Sequence, residues 1–132
     1  MIKTIALLKC KAGLTRAAFI EYYETRHVPL ILSIAPQVCD YRRNFLVSEG
    51  AITAPGAAPR DFDVITELWY PDQAAFEAAM AAFTEPSNAA RIAADEEQVF
   101  DRAHTRFYTV EEHVCALAAV GAATRTGPVS PR

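Results

Sequence analysis

At 132 residues, with 52% hydrophobic and 22% charged positions, the chain has the composition of one packed globular domain. It is too short for two ordinary domains and too apolar to stay unfolded. Thirteen Lys and Arg against sixteen Asp and Glu give a formal net charge of -3, with no basic stripe to neutralise a run of phosphates, which excludes nucleic acid as an expected partner.

Residues 2–10 are almost continuously apolar around Ile5, Ala6, Leu7 and Leu8, the pattern of a strand covered on both faces. Lys3, Lys9 and Lys11 are scattered through this run, without the ordered basic, apolar and small-residue regions of a signal peptide. The most apolar stretches, 2–8 and 114–123, are shorter than the roughly 20 residues that span a bilayer. No membrane segment and a cytoplasmic location are therefore expected.

Ala12 and Gly13 break the first strand, and Thr15 can cap a helix with its hydroxyl. Phe19, Tyr22, Tyr23, Arg26 and Leu30 recur at steps of three and four and predict an inward face. Pro29 disfavours helical geometry at Val28, so the helix either ends near His27 or kinks there and continues to Leu32. A second strand is expected over 38–47. Gly50, Pro55, Gly56 and Pro59 mark an exposed loop over 48–60, and 62–70 is a third strand rich in β-branched and aromatic residues.

Asp72 is a good N-cap for a helix whose Phe76, Ala79, Met80 and Phe83 share one face. Pro86 restarts the chain as a connected helix carrying Ile92, Glu96, Val99 and Phe100. Residues 105–114 form the last strand. The order β-α-β-β-α-α-β is an α+β, ferredoxin-like arrangement: one four-stranded antiparallel sheet with helices on one face. The division is a domain at 1–114 and a partly flexible tail at 115–132, which lacks a core-forming pattern after Val120. The bare sheet face calls for a homodimer.

Three stretches then resemble the EthD domain family: Phe-Ile-Glu-Tyr-Tyr-Glu-Thr-Arg-His-Val-Pro-Leu at 19–30 with the strand and Gly-Leu-Thr-Arg before it, Glu-Leu-Trp-Tyr at 67–70, and Ala-Asp-Glu-Glu-Gln-Val-Phe-Asp at 94–101. The resemblance implies pairing as a dimeric α+β barrel, with a pocket between sheet and helices for a small apolar or aromatic ligand. The wider superfamily includes monooxygenases, lactone isomerases, polyketide cyclases, dehydratases and decarboxylases, mostly without a metal. The loop after Glu49 and the tail after Val114 depart from the family pattern.

His27 is the first catalytic candidate, since imidazole exchanges protons near neutrality and the residue matches the family's histidine before Pro-Leu. A histidine suiting a helix C-terminal dipole is the plainer alternative. Asp95 is its candidate helper; Glu96, beside Ile92 and Val99, has a setting that can raise a carboxyl toward neutrality, although pairing with Arg26, Arg91 or a backbone donor is the commoner use. Tyr22, Tyr23 and Tyr41 can hold a carbonyl or phenol oxygen, and Trp69 can wall a pocket; all four also suit a plain core. Asp40, Arg42 and Arg43 read as a solvated strand face.

His27, His104 and His113 are too scattered for a metal, and Cys10, Cys39 and Cys115 form neither a zinc motif nor a disulfide framework. No phosphate-cradling glycine motif or nucleophile elbow occurs. No cofactor is expected. Two readings follow: a cofactor-independent isomerase, cyclase or lyase moving a proton on a small carbonyl, lactone or phenolic compound, with cofactor-free oxygenation as the next chemistry, or a binding protein accessory to an oxygenase system.

Overall fold

The computed structural model describes residues 1–117. From residue 118 onward the expected tail lies outside the described residues. Strands β1 (Ile2–Leu8), β2 (Asp40–Phe45), β3 (Val64–Tyr70) and β4 (Arg106–Thr109) form one antiparallel sheet in the order β2-β3-β1-β4. The helices α1 (Arg16–Tyr22), α2 (Val28–Ile34), α3 (Gln73–Thr84) and α4 (Pro86–Val99) pack against it. This is the expected ferredoxin-like α+β fold. Among the described residues no helix is long and apolar enough to cross a membrane.

Thr15 accepts a hydrogen bond from the Ala18 amide at the start of α1, and Asp72 accepts one from Ala75 at the start of α3, each using an amide the helix leaves free. Pro86 opens α4 behind Glu85, whose carboxylate accepts from the Ser87 and Asn88 amides. A bond from the Ser87 hydroxyl, and then these two amides, hold the Glu85 carboxyl below its usual range. A proline at this position sacrifices only an amide that has no helical partner.

The first helical segment neither ends at His27 nor kinks for one turn. Tyr23–His27 form a π turn that joins α1 directly to α2, and the Val28 amide reaches the Tyr23 carbonyl. Pro29 accounts for it: the residue has no amide to donate, and in a regular helix its ring strikes the carbonyl of Thr25, four residues back. Widening the turn moves that carbonyl away from the ring. His27 therefore does not cap a helix C-terminus.

The π turn also changes the buried face. Phe19, Tyr23, His27 and Ile31 are buried, while Arg26 is exposed and Leu30 only half-buried. A stripe at steps of four drifts by roughly 40° per step around a regular helix, and the wider turn absorbs part of that drift. Phe19, Tyr23 and Phe100 meet edge-to-face at 5.5–6.2 Å, the geometry that brings ring edges onto ring faces. Ala6, Leu8, Val64 and Val99 complete this cluster, and Ile31, Leu68, Tyr70 and Ala79 form a second.

Alternation along the strands sorts the sheet into two faces. Ala6 opposes Thr66 and Phe107, and Tyr41 opposes Leu68, on the helix side. Lys3, Ile5, Leu7, Ile65, Glu67 and Trp69 point away from it. Arg43 opposes Thr66 and so belongs to the helix side, where it holds Glu24 through two bonds of 2.8 and 2.6 Å; it is not part of a solvated face with Asp40 and Arg42. β4 is shorter than expected. Val110 still donates to the Lys3 carbonyl, but β1 begins at Ile2, so the antiparallel ladder has almost no backbone left to pair with. Residues 47–60 form the exposed loop.

Candidate active site

A cavity of about 320 Å³ lies between the helix side of the sheet and the helices. Its walls are mostly apolar, and its polar groups include Tyr23, His27, Tyr41, Thr66 and Glu96, with Thr84 and Thr105 also in the lining, the mixture common to small-molecule sites. Each polar group has a local origin. The π turn delivers Tyr23 and His27 to one face, strand alternation turns Tyr41 and Thr66 inward, and α4 carries Glu96.

The position of α4 is set by its C-terminal end. Lys11 donates to the Val99 carbonyl at 2.9 Å and Asp101 donates to the Lys9 carbonyl at 2.9 Å, so the end of α4 is stitched to the chain just after β1. This brings Asp95 behind the π turn. His27 Nδ1 lies 2.7 Å from Asp95 Oδ2, and the Tyr22 hydroxyl donates to Asp95 Oδ1 at 2.9 Å. Both carboxylate oxygens are thereby occupied. The Tyr22 phenol is held above its usual pKa, by burial first and then by its bond to Asp95.

His27 is 4% exposed, and its ring packs edge-to-face on Tyr23 at 4.9 Å and Phe100 at 5.1 Å. Its Nε2 has no hydrogen-bond partner among the described residues, and the ring lines the cavity. An Nδ1–H directed at a carboxylate leaves the lone pair on Nε2, so this tautomer presents a base to the cavity.

The floor of the cavity carries linked hydroxyls. Tyr23 Oη and Thr66 Oγ1 are 2.5 Å apart, and Tyr41 Oη is 3.5 Å from Tyr23 Oη. Burial pushes the Tyr23 phenol up to about 12. It also raises Tyr41 well above the ordinary value, with the neighbouring Tyr23 adding to the shift. Both stay protonated at physiological pH and serve as neutral hydrogen-bond groups, not as bases. Glu96 is likewise raised by burial, against the opposing pull of His27 and Arg102.

The sequence candidates thus separate. His27, Tyr23 and Tyr41 line one cavity, whereas Asp95 and Tyr22 stand behind His27 and touch it in series. Trp69 is on the opposite sheet face, with Lys3 Nζ 4.5 Å and Arg42 Cζ 5.0 Å from its ring centre; pleat alternation, which puts Leu68 in the cavity, puts Trp69 outside it. Glu96 pairs with Arg102 at 3.3 Å, rather than with Arg26 or Arg91. Thr66 and Phe107 had no sequence signal beyond their strand register. No cluster of three or more His, Cys, Asp or Glu side chains is placed to hold a metal among the described residues.

Residues 11–103 match the model of the EthD domain family. No curated protein matches the chain. Solved structures of the same fold include an EthD family protein from Bacillus halodurans, 24% identical with a TM-score of 0.58, covering 86% of this chain and 99% of that one. HapK from Hahella chejuensis is 15% identical with a TM-score of 0.57, covering 89% and 98%. Hydroxynitrile lyase from Passiflora edulis is 17% identical with a TM-score of 0.51, covering 86% and 96%.

Proposed function

This chain belongs to the EthD domain family, and on that footing we propose that it is a cofactor-independent enzyme that moves a proton on a small apolar carbonyl, lactone or phenolic compound. The observation that carries this reading is the Asp95–His27 pair: a buried imidazole held at Nδ1 by a carboxylate, with Nε2 turned to a largely apolar cavity. Asp95 selects the tautomer and stabilises the imidazolium that forms when Nε2 takes a proton, while Tyr22 fixes the carboxylate. Tyr23, Tyr41 and Thr66 offer neutral hydroxyls to a substrate oxygen. Apolar walls keep water from that oxygen and strengthen each hydrogen bond made to it.

Isomerase, cyclase and lyase reactions all use such a step. A lyase among proteins of this fold, the Passiflora hydroxynitrile lyase, adds support to that group of reactions. A second reading, a carrier accessory to an oxygenase, uses the same cavity without turnover. The two are separated by screening lactones, phenols and ketones for turnover while recording ligand-induced melting shifts, with Asp95→Asn in parallel. Turnover that Asp95→Asn suppresses supports the enzyme; melting shifts without turnover support the carrier. In either case the chain works as a homodimer in this reading, its bare sheet face with Ile5, Leu7 and Ile65 covered by a second copy.

A further inference from the structure

Proton transfer to carbon needs a second group, because a base that removes a proton leaves negative charge on the substrate. The cavity hydroxyls do not supply a proton: Tyr23 and Tyr41 hold theirs more firmly than ordinary phenols, and the aliphatic hydroxyls of Thr66, Thr84 and Thr105 are weaker acids than any phenol. Glu96 lines the same cavity as His27. Its Oε1 accepts from Arg102 Nε at 3.3 Å, and its Oε2 has no partner among the described residues. No Lys or Arg is among the described residues that line the cavity, so nothing there neutralises a substrate carboxylate or phosphate.

We propose that Glu96 is the second proton-transfer group of this site and that the ligand is a neutral ketone bearing an acidic C–H beside its carbonyl. The inference rests on the reading of His27 as the base. His27 Nε2 takes the proton from the carbon next to the carbonyl. The C–H electron pair becomes the new C=C bond, the C=O π pair moves onto oxygen, and that oxygen takes the proton of the Glu96 carboxyl. The products are the enol, an imidazolium and a carboxylate, with nothing oxidised or reduced. Reversal returns both protons, and in heavy water the imidazolium first exchanges its proton for a deuteron, which then arrives on carbon.

Burial favours the protonated carboxyl that this step requires, and three charged groups bear on it. His27 on the π turn and Arg102 after α4 favour the carboxylate; Asp95 on α4 itself disfavours it. Activity requires neutral His27 together with protonated Glu96, which gives a bell-shaped dependence on pH whichever of the two titrates first. A carboxylate that served only to hold Arg102 leaves no such signature.

The test is α-hydrogen exchange of 2-indanone in heavy water, followed by proton NMR across pH. The wild type exchanges the probe with a bell-shaped profile. Glu96→Gln, which keeps the shape of the side chain but has no proton to give, slows exchange about 10²-fold or more, as loss of a general acid does, and leaves a single limb rising with pH. Glu96→Asp, if Gln perturbs folding, retains the bell at a reduced rate. Arg102→Ala removes a cation that favours the carboxylate, and so moves the centre of the bell to higher pH. Glu96→Gln with the wild-type rate and profile overturns the assignment of Glu96 and leaves His27 standing. A wild type that leaves 2-indanone unexchanged overturns the ketone class, and exchange that survives in His27→Gln overturns the reading on which the inference depends.

Discussion

His27 Nδ1 and Asp95 Oδ2 meet at 2.7 Å although the residues are 68 positions apart. In the proposed reading Asp95 selects the His27 tautomer from behind, without entering the cavity. Asp95→Asn keeps the shape but offers an amide that can donate as well as accept, so the ring is free to turn Nε2–H toward the substrate. A fall in kcat of about 10²-fold with KM little changed is expected. If Asp95 only ties α4 to the π turn, melting temperature falls and kcat does not.

Tyr22→Phe removes one of the two bonds to Asp95 and touches no substrate. Its effect is smaller, roughly threefold to tenfold in kcat, since His27 still holds the other oxygen and the Tyr22 bond reaches the reaction only through Asp95. Steady-state kinetics of the single and double Tyr22→Phe, Asp95→Asn variants check this: the double variant should be no worse than Asp95→Asn alone.

Tyr23 ties stability to alkaline pH. Its phenol is raised from 10.0 to about 12 in the folded chain, so above pH 10 the unfolded chain gives up this proton first. The contribution is complete below the unfolded value and is lost as pH rises through the folded one, an effect on the order of 2–3 kcal/mol. Denaturant unfolding between pH 9 and 12 should therefore show a steep loss for the wild type. Tyr23→Phe is less stable at pH 7, by about 1–3 kcal/mol because Thr66 loses its partner, and falls less steeply.

The bare sheet face predicts a dimer in solution. Ile5, Leu7 and Ile65, half-buried within one subunit, fall on it beside Lys3 and Glu67, and apolar sheet surface without a covering layer is rarely left to water. Sedimentation at micromolar concentration should give about twice 14.5 kDa, and Ile65→Asp should halve it. A wild-type chain that sediments as a monomer removes the paired barrel.

The order of elements was legible in the sequence because it is written in local signals: Thr15, Asp72 and Pro86 mark helix starts, and the strands show as apolar runs between turn residues. The π turn was not, because Pro29 announces a disturbance without saying whether the helix stops or widens. That choice depends on the packing of Tyr23 and His27 against Phe100, which is distant in sequence. For the site, His27, Asp95, Tyr23 and Tyr41 were found by residue type and family likeness. Trp69 was assigned to a pocket wall because its strand was recognised before its register was known, and register decides the face. Thr66 was invisible for the same reason: a threonine in a strand carries no mark of the tyrosine it meets.

Whether His27 carries the proton is decided by measuring turnover and melting temperature on one variant, His27→Gln. The substrate or probe is one that the wild type turns over. A proton carrier at this position gives a loss of about 10² to 10⁴-fold that more substrate does not recover, in a protein that still melts cooperatively. Turnover within about threefold of the wild type, whatever the melting temperature, contradicts that role.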